Sequence, residues 1–435
     1  MARRAAMAKV VEQHLIRYGG GAFPDYFIER AAGSYVYDDA GRRILDFTSG
    51  QMCSTLGHNH PAVVAAVRRS AERGFHLFSL MLPTEVVELA RRLTELLPPG
   101  LEKVIFLTTG SESIEAAIRM AKLATGRWEV AALSASFHGF TGSAAGATYT
   151  VGRQGYGPPM PGNYTLPAPS AYRCPVRHCR DRCDLTCLDV GFELLDAQSS
   201  GALAACVAEP ILSTGGVIVP PPGYFPRLRA LCEARGMLLI LDEAQTALGR
   251  LGAHFAFEQD GVVPDFLALS KTLGGGLPLA ATVTSAAIEE VCHDRRFVHV
   301  TSHVSDPLAA SVGLAVLEVL TRDGLAERAR LLGRRLEAGL RDLHRRYEVI
   351  GDIRGRGLLW GVELVRDRAS REPNAPLGAR ITRRCLELGL SMNITALPRL
   401  ASVWRIAPPL TVSEAELDAG LAILDQAIRE GLASA

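Results

Sequence analysis

Six short apolar runs, at residues 104–107, 130–133, 203–208, 237–241, 266–269 and 279–283, constrain this chain more than any other feature. Most are followed by a segment with helical spacing of its apolar residues. Strands buried on both faces read as continuous apolar runs, and strands alternating with helices mark a mainly parallel α/β sheet covered on both sides. Open sheets of this kind bind ligands outside the carboxyl ends of their strands. Here those ends carry Thr108 and Thr109, Glu209, Asp242, Ser270 and Lys271, which are predicted to collect in one crevice.

Two of these ends carry specific chemistry. The run through Leu241 ends in Asp242-Glu243-Ala244-Gln245, and the run through Leu269 ends in Ser270-Lys271 ahead of Gly274-Gly275-Gly276. Alone, a strand-end acid is often a helix cap and a loop lysine is usually solvated. Together, 29 residues apart, they leave room for one crossover between neighbouring parallel strands. A lysine amine that condenses with an aldehyde, and a carboxylate that keeps a pyridine nitrogen protonated, are what pyridoxal phosphate requires. After run 104–107, Thr109, Gly110 and Ser111 open a helix whose apolar positions Ile114, Ala117, Ile118 and Ala121 share one face. The free N–H groups and dipole of a helix start suit a phosphate, so these three residues form the predicted cradle.

Composition narrows the classes of function. The chain has 435 residues, 48% hydrophobic and 21% charged, with a formal net charge of +1, enough apolar content for a large core and two domains. The absence of a basic run argues against nucleic acid as a partner, and no apolar stretch reaches the roughly 18 residues of a membrane span. Small diffusing substrates are expected. Arg3, Arg4 and Lys9 occur in residues 1–11 without an apolar segment, which predicts no secretory signal and a cytoplasmic protein. Of the 9 cysteines, Cys174, Cys179, Cys183 and Cys187 cluster around His178. Their spacing lacks the short two-residue spacer of common zinc and ferredoxin sites, so reduced thiols on a surface loop are preferred, with a metal or cluster as the open alternative.

The runs LDEAQTALGR and PDFLALSKTLGGGLPLA resemble the class III (subgroup II) aminotransferases of the type I pyridoxal phosphate fold, and the resemblance extends from about His14 to the last helix. It implies a large cofactor-binding domain over residues 61–315, a smaller α+β domain over 316–435, and an N-terminal arm over 1–60 that packs with the small domain. It also assigns roles. Phe137 stacks on the cofactor ring, Asp242 pairs with its nitrogen, Ala244 leaves it space, Gln245 donates to its phenolic oxygen, and Lys271 holds it covalently. Ser302 reaches the phosphate of a neighbouring subunit, which implies a homodimer at least, with a homotetramer as the larger alternative.

Within that family, the segments SGQM (Ser49, Gly50, Gln51, Met52), LSMNI (390–394) and WRIAPPLTVSE (404–414) resemble the 2,2-dialkylglycine decarboxylases. The resemblance implies decarboxylation-dependent transamination: a dialkylglycine such as 2-aminoisobutyrate loses CO2 and yields a ketone, and the amino group passes to pyruvate to give L-alanine. Gln51 would hold the leaving carboxylate, Arg405 would clamp the carboxylate in the transamination half, and Lys271 would move the proton. A potassium ion on Leu77, Ser79, Ser302, Val304 and Asp306 is implied as well, with serine at 302 in place of a threonine. A second, sodium site loses a side-chain oxygen at Leu97. The chain departs from the pattern at Phe137 (tryptophan there), at Phe140 (methionine there) and in the cysteine loop. An ordinary ω- or α-aminotransferase, or an amino-acid racemase, is the alternative.

Overall fold

The computed structural model describes residues 2–19, 23, 24, 26–174, 176, 183–397 and 401–433. In chain order the strands are β1 (Ile28–Ala32), β2 (Tyr35–Asp38), β3 (Arg43–Asp46), β4 (Lys103–Leu107), β5 (Glu129–Leu133), β6 (Asn163–Leu166), β7 (Leu203–Ala208), β8 (Leu238–Asp242), β9 (Phe266–Leu269), β10 (Ala280–Thr284), β11 (Ile350–Arg356), β12 (Leu359–Leu364), β13 (Leu390–Ser391), β14 (Asn393–Leu397) and β15 (Ala401–Ile406). The large sheet runs β4-β10-β9-β8-β7-β5-β6. Only β10 is antiparallel to its neighbours, and the other pairings are parallel.

The six apolar runs are all strands of this sheet, each within one residue of the expected ends. Every residue of β7 and β9 is buried, as two-sided helical cover demands. Burying a side chain such as Leu241 or Phe266 stabilises the fold by about 1.5–3 kcal/mol. The edge strand β6 was not legible as an apolar run, because its sequence NYTL is only half-buried. Because β8 and β9 are parallel neighbours, with Asp242 in register with Ala268, the carboxylate and Lys271 emerge from the same end of the sheet.

Past the large sheet, two helices, Pro307–Arg322 and Leu325–Arg346, are separated at Gly324, whose φ of +57° suits glycine. The boundary drawn at 315/316 falls inside the first of these helices, which packs against the helices Pro61–Arg73 and Thr84–Glu95. The sheet β11-β12-β15-β14 follows, and β11 lay unrecognised in the glycine- and arginine-rich IGDIRGR.

Strands β1 to β3 form a third sheet completed by β13, which pairs parallel to β3 with Leu45 opposite Leu390. The arm also meets the C-terminal helix Glu414–Ala433. A Cβ on Gly420 would lie 2.2 Å from the Phe47 ring, so that position has room only for glycine. No helix among the described residues is long and apolar enough to cross a membrane.

Candidate active site

Thr109, Gly110, Ser111, Phe137, Asp242, Ala244, Gln245 and Lys271 line one cavity of about 440 Å3, together with His138, Gly139, Phe140, Thr141, Glu209, Ile211 and Thr246. Eight residues, some expected from the strand ends and Phe137, Ala244 and Gln245 from the family resemblance, are thereby brought together. Lys271 opens a short 3-10 turn with φ +43°, in the left-handed region that a side chain adopts at a cost of about 1–3 kcal/mol. Burial lowers its amine from the usual lysine value, the Asp242 carboxylate opposes this, and Arg405 adds to the lowering. A lysine held this way is a better nucleophile than one in water.

Asp242 is fixed from two sides. Its Oδ1 accepts the backbone N–H of Ala244 at 3.0 Å, and its Oδ2 lies 2.8 Å from Nδ1 of the buried His138. The other ring nitrogen of His138 has no hydrogen-bond partner among the described residues. One strand over, Glu209 accepts the N–H of Phe137 at 2.9 Å and that of Ser213 at 3.2 Å. Burial pushes its carboxyl up to about 7, with His138 and the two N–H groups opposing and Asp242 reinforcing. His138, Glu209 and Thr141 had been given no role from sequence. Glu209 had a usable signal, since it ends an apolar run just as Asp242 does.

The phosphate cradle differs from expectation at Thr109. This residue caps the helix Gly110–Thr125: its hydroxyl accepts the N–H of Glu112, and its own N–H donates to the Glu112 carboxylate at 3.0 Å. That capping box leaves the N–H groups of Gly110 and Ser111 at the helix start for an anion. Ser111 Oγ joins them to the next loop through the N–H groups of Phe140 and Thr141, both at 3.1 Å. A Cβ on Gly110 would meet Ser270 Oγ at 2.7 Å and one on Gly139 would meet Ser111 Oγ at 2.2 Å, so only glycines allow this close approach. An anion cradle, a facing aromatic ring, a carboxylate and a lysine in one cavity of this size fit a pyridine ring bearing a phosphate.

Arg405, buried on β15, sits beside this cavity and donates from Nη1 to Gln245 Oε1 at 3.1 Å and Ser213 Oγ at 3.5 Å. Burial brings its guanidinium down to about 10, with Glu209 opposing. Gln245 thus holds Arg405 with its oxygen while its amide nitrogen donates to Thr214 Oγ1 at 3.3 Å. In this structure one donor of the Gln245 amide is engaged by Thr214, and the amide carries a second N–H for the ring oxygen expected of it.

Gln51 is exposed and does not line the cavity. It belongs to one turn of left-handed helix: Ser49, Gly50, Gln51 and Met52 have φ of 43°, 57°, 59° and 65°. The three non-glycine residues each carry about 1–2 kcal/mol of strain. The turn lies close to the lysine, because Thr55 Oγ1 and Thr272 Oγ1 are 3.0 Å apart.

Ser302 is exposed and lies outside the lysine cavity. The segments proposed to hold potassium do meet: Ser79 Oγ donates to Thr301 O at 3.0 Å. Asp306, however, has both oxygens engaged, at 2.6 Å from Nδ1 of His76 and 2.6 Å from Nδ1 of His303. The position of Leu77 at 40% exposure leaves that segment open to solvent in the single chain. Of the cysteine cluster, Cys174 and Cys183 are half-buried and Cys187 is buried, while Cys179 and His178 lie outside the described residues.

The comparisons with known proteins agree with this geometry. The family Aminotransferase class-III matches residues 18–428. An uncharacterised aminotransferase of Schizosaccharomyces pombe is 48% identical over 95% of this chain and 92% of its own length. A leucine/methionine racemase of Thermococcus litoralis is 35% identical over 92% and 90%. Among solved structures, a Bacillus anthracis aminotransferase superposes with a TM-score of 0.92 at 26% identity, covering 99% of each chain.

Proposed function

This chain belongs to the class III aminotransferases, enzymes that depend on pyridoxal phosphate, and from that premise we propose that it is a decarboxylating transaminase of 2,2-dialkylglycines with pyruvate as amino acceptor. Bound pyridoxal phosphate supplies the electron sink that lets a bond at the substrate Cα break. Gly110 and Ser111 would take its phosphate, Phe137 its ring face, Asp242 its nitrogen and Lys271 its aldehyde carbon. Which bond breaks is then decided by how the chain's own residues orient the substrate. Arg405 offers a carboxylate a buried, paired guanidinium, and Lys271 Nζ carries the proton to and from the reacting carbon.

The observation that carries the decarboxylating reading is the left-handed turn bearing Gln51, linked to the residue after Lys271 by the Thr55–Thr272 contact. Gln51, exposed and outside the cavity in the single chain, would have to swing inward to orient the departing carboxylate, and as a neutral amide it would do so without the charge that would retain it. The gathering of the 77–79 and 301–306 segments supports an alkali-metal ion nearby, which must share Asp306 with His76 and His303. Exposed Phe75, Phe78, Leu80, Met81 and Leu82 support association with a second copy.

Two observations favour a second reading, simple transamination or racemisation. The Phe137 and Phe140 rings meet edge-to-face at 5.3 Å beside the cavity, and one relative is a racemase of leucine and methionine. The test is to supply the holoenzyme with 2-aminoisobutyrate, pyruvate and potassium and to follow products. Equal yields of CO2, acetone and alanine support the decarboxylating reading. Turnover of leucine or methionine, with no CO2 from 2-aminoisobutyrate, overturns it in favour of the second.

A further inference from the structure

The reading of Gln51 gives the turn beside Lys271 a use but does not say what holds it in a strained left-handed form, and the contacts of the turn supply that. At one end, Thr55 Oγ1 meets Thr272 Oγ1 at 3.0 Å, next to the lysine. At the other, Ser49 Oγ donates to Ala407 O at 2.7 Å, and the Ala407 N–H donates to Phe47 O at 2.8 Å, two residues beyond Arg405. Residues 47–55 therefore form a strut between the lysine loop and the strand that carries the arginine.

Arg250 braces both ends. Fully buried, it donates from Nη1 to Leu358 O at 3.2 Å and Pro408 O at 2.5 Å, and from Nη2 to Ser49 Oγ at 3.3 Å and Thr55 Oγ1 at 3.5 Å.

A left-handed turn of non-glycine residues does not persist unless its surroundings over-determine it. Asp46, at the end of β3, supplies that constraint. Its Oδ1 accepts the N–H of Thr48 at 2.9 Å and the Thr48 hydroxyl at 2.6 Å, and its Oδ2 accepts the N–H of Gly50 at 2.8 Å. His58 Nε2 lies 2.9 Å from the same Oδ2 and holds the carboxylate from behind. Burial raises the Asp46 carboxyl, yet the hydrogen bonds from His58, Thr48 and Gly50 carry it below its ordinary value, so it stays ionised while it grips the turn. Space enforces the same shape: a Cβ on Gly50 would lie 2.9 Å from Ser54 Oγ and 3.3 Å from the His58 ring.

We propose that Asp46 is a positioning residue: through the strut it sets the reach from the Lys271 amine to the Arg405 guanidinium, and so makes the site selective for amines that also bear a carboxylate. This rests on the reading of Arg405 as the carboxylate clamp. Asp46 touches neither lysine nor arginine in the contacts above, so its loss should leave the cofactor in place and weaken only the grip on the carboxylate.

The experiment uses the pyridoxal-phosphate-loaded enzyme and two probes read by cofactor absorbance. Isobutyrate has the carboxylate without the amine, and isopropylamine has the amine without the carboxylate. In Asp46→Asn the dissociation constant for isobutyrate is expected to rise about tenfold or more, the loss of charge-assisted hydrogen bonds, while that for isopropylamine is unchanged. Unchanged isobutyrate affinity, or parallel loss for both probes, overturns the proposal.

Should Asp46→Asn fail to fold, Gly50→Ala and Gly50→Ala/Ser54→Ala give the same test. The first should weaken isobutyrate, and the second, which removes the 2.9 Å clash but keeps the left-handed strain at φ +57°, should restore part of the affinity; wild-type affinity in Gly50→Ala, or no gain in the pair, overturns the strut. Arg405→Lys separates the two levels, since unchanged isobutyrate affinity there overturns the clamp reading itself.

Discussion

His138 Nδ1 lies 2.8 Å from Asp242 Oδ2 in the floor of the lysine cavity, and both side chains are buried. The imidazole fixes the orientation of the carboxylate proposed to serve the cofactor's ring nitrogen. His138→Phe should therefore lower kcat by on the order of tenfold to a hundredfold, the equivalent of one lost hydrogen bond to a charged group at about 1.5–3 kcal/mol. His138→Asn, which keeps a donor, should recover part of it. Steady-state kinetics of the two variants at saturating cofactor checks this.

Thr109 and Gly110 should separate stability from cofactor retention. Thr109→Ala removes the cap of the helix Gly110–Thr125 and should cost about 1 kcal/mol, read as a lower melting temperature. Gly110→Ala places a Cβ 2.7 Å from Ser270 Oγ, at the helix start offered to the phosphate. Cofactor dissociation on dialysis should accelerate far more in Gly110→Ala than in Thr109→Ala.

Glu243 gives a pH signature away from the chemistry. Its buried carboxylate accepts the N–H groups of Ala256 at 2.8 Å and Phe257 at 3.0 Å, and burial pushes it up from 4.5 to about 7 against those hydrogen bonds. A raised carboxyl favours the fold below its unfolded value, and that contribution is lost as pH rises through the folded one. The difference corresponds to roughly 3 kcal/mol. Between pH 4.5 and 7, the melting temperature of the wild type should fall relative to that of Glu243→Gln, and the gap should become constant above about pH 8.

The exposed apolar segment around Phe78 and Leu82, 63% and 67% exposed, should be covered in solution by a second copy. Sedimentation should show a dimer or larger for the wild type and a shift to monomer for Phe78→Asp/Leu82→Asp. A wild-type monomer would contradict the assignment of Ser302 to a neighbour's site.

The sequence made the large sheet legible because β5, β7, β8, β9 and β10 are buried almost throughout and so read as unbroken apolar runs, while the edge strand β4, only partly buried, keeps an apolar sequence all the same. The half-buried β6 and β11 carry no such signal. Asp242 and Lys271 could be placed from residues alone, since each ends a strand of a parallel pair. Arg405 could not: it comes from a different sheet, and its position followed only from a family resemblance. The role of His138 depends on a contact with a residue 104 positions away. The hand of the Ser49–Met52 turn was hidden for another reason. One glycine marks a bend, but Asp46, Arg250 and Ala407 are what hold three other residues against their own preference.

The most direct measurement is borohydride reduction of the pyridoxal-phosphate-loaded enzyme, followed by proteolysis and mass spectrometry of the modified peptide. The account predicts one reduced cofactor per chain on the peptide bearing Lys271, absent in Lys271→Ala. Cofactor on any other lysine, or undiminished labelling and amino transfer in Lys271→Ala, would contradict it.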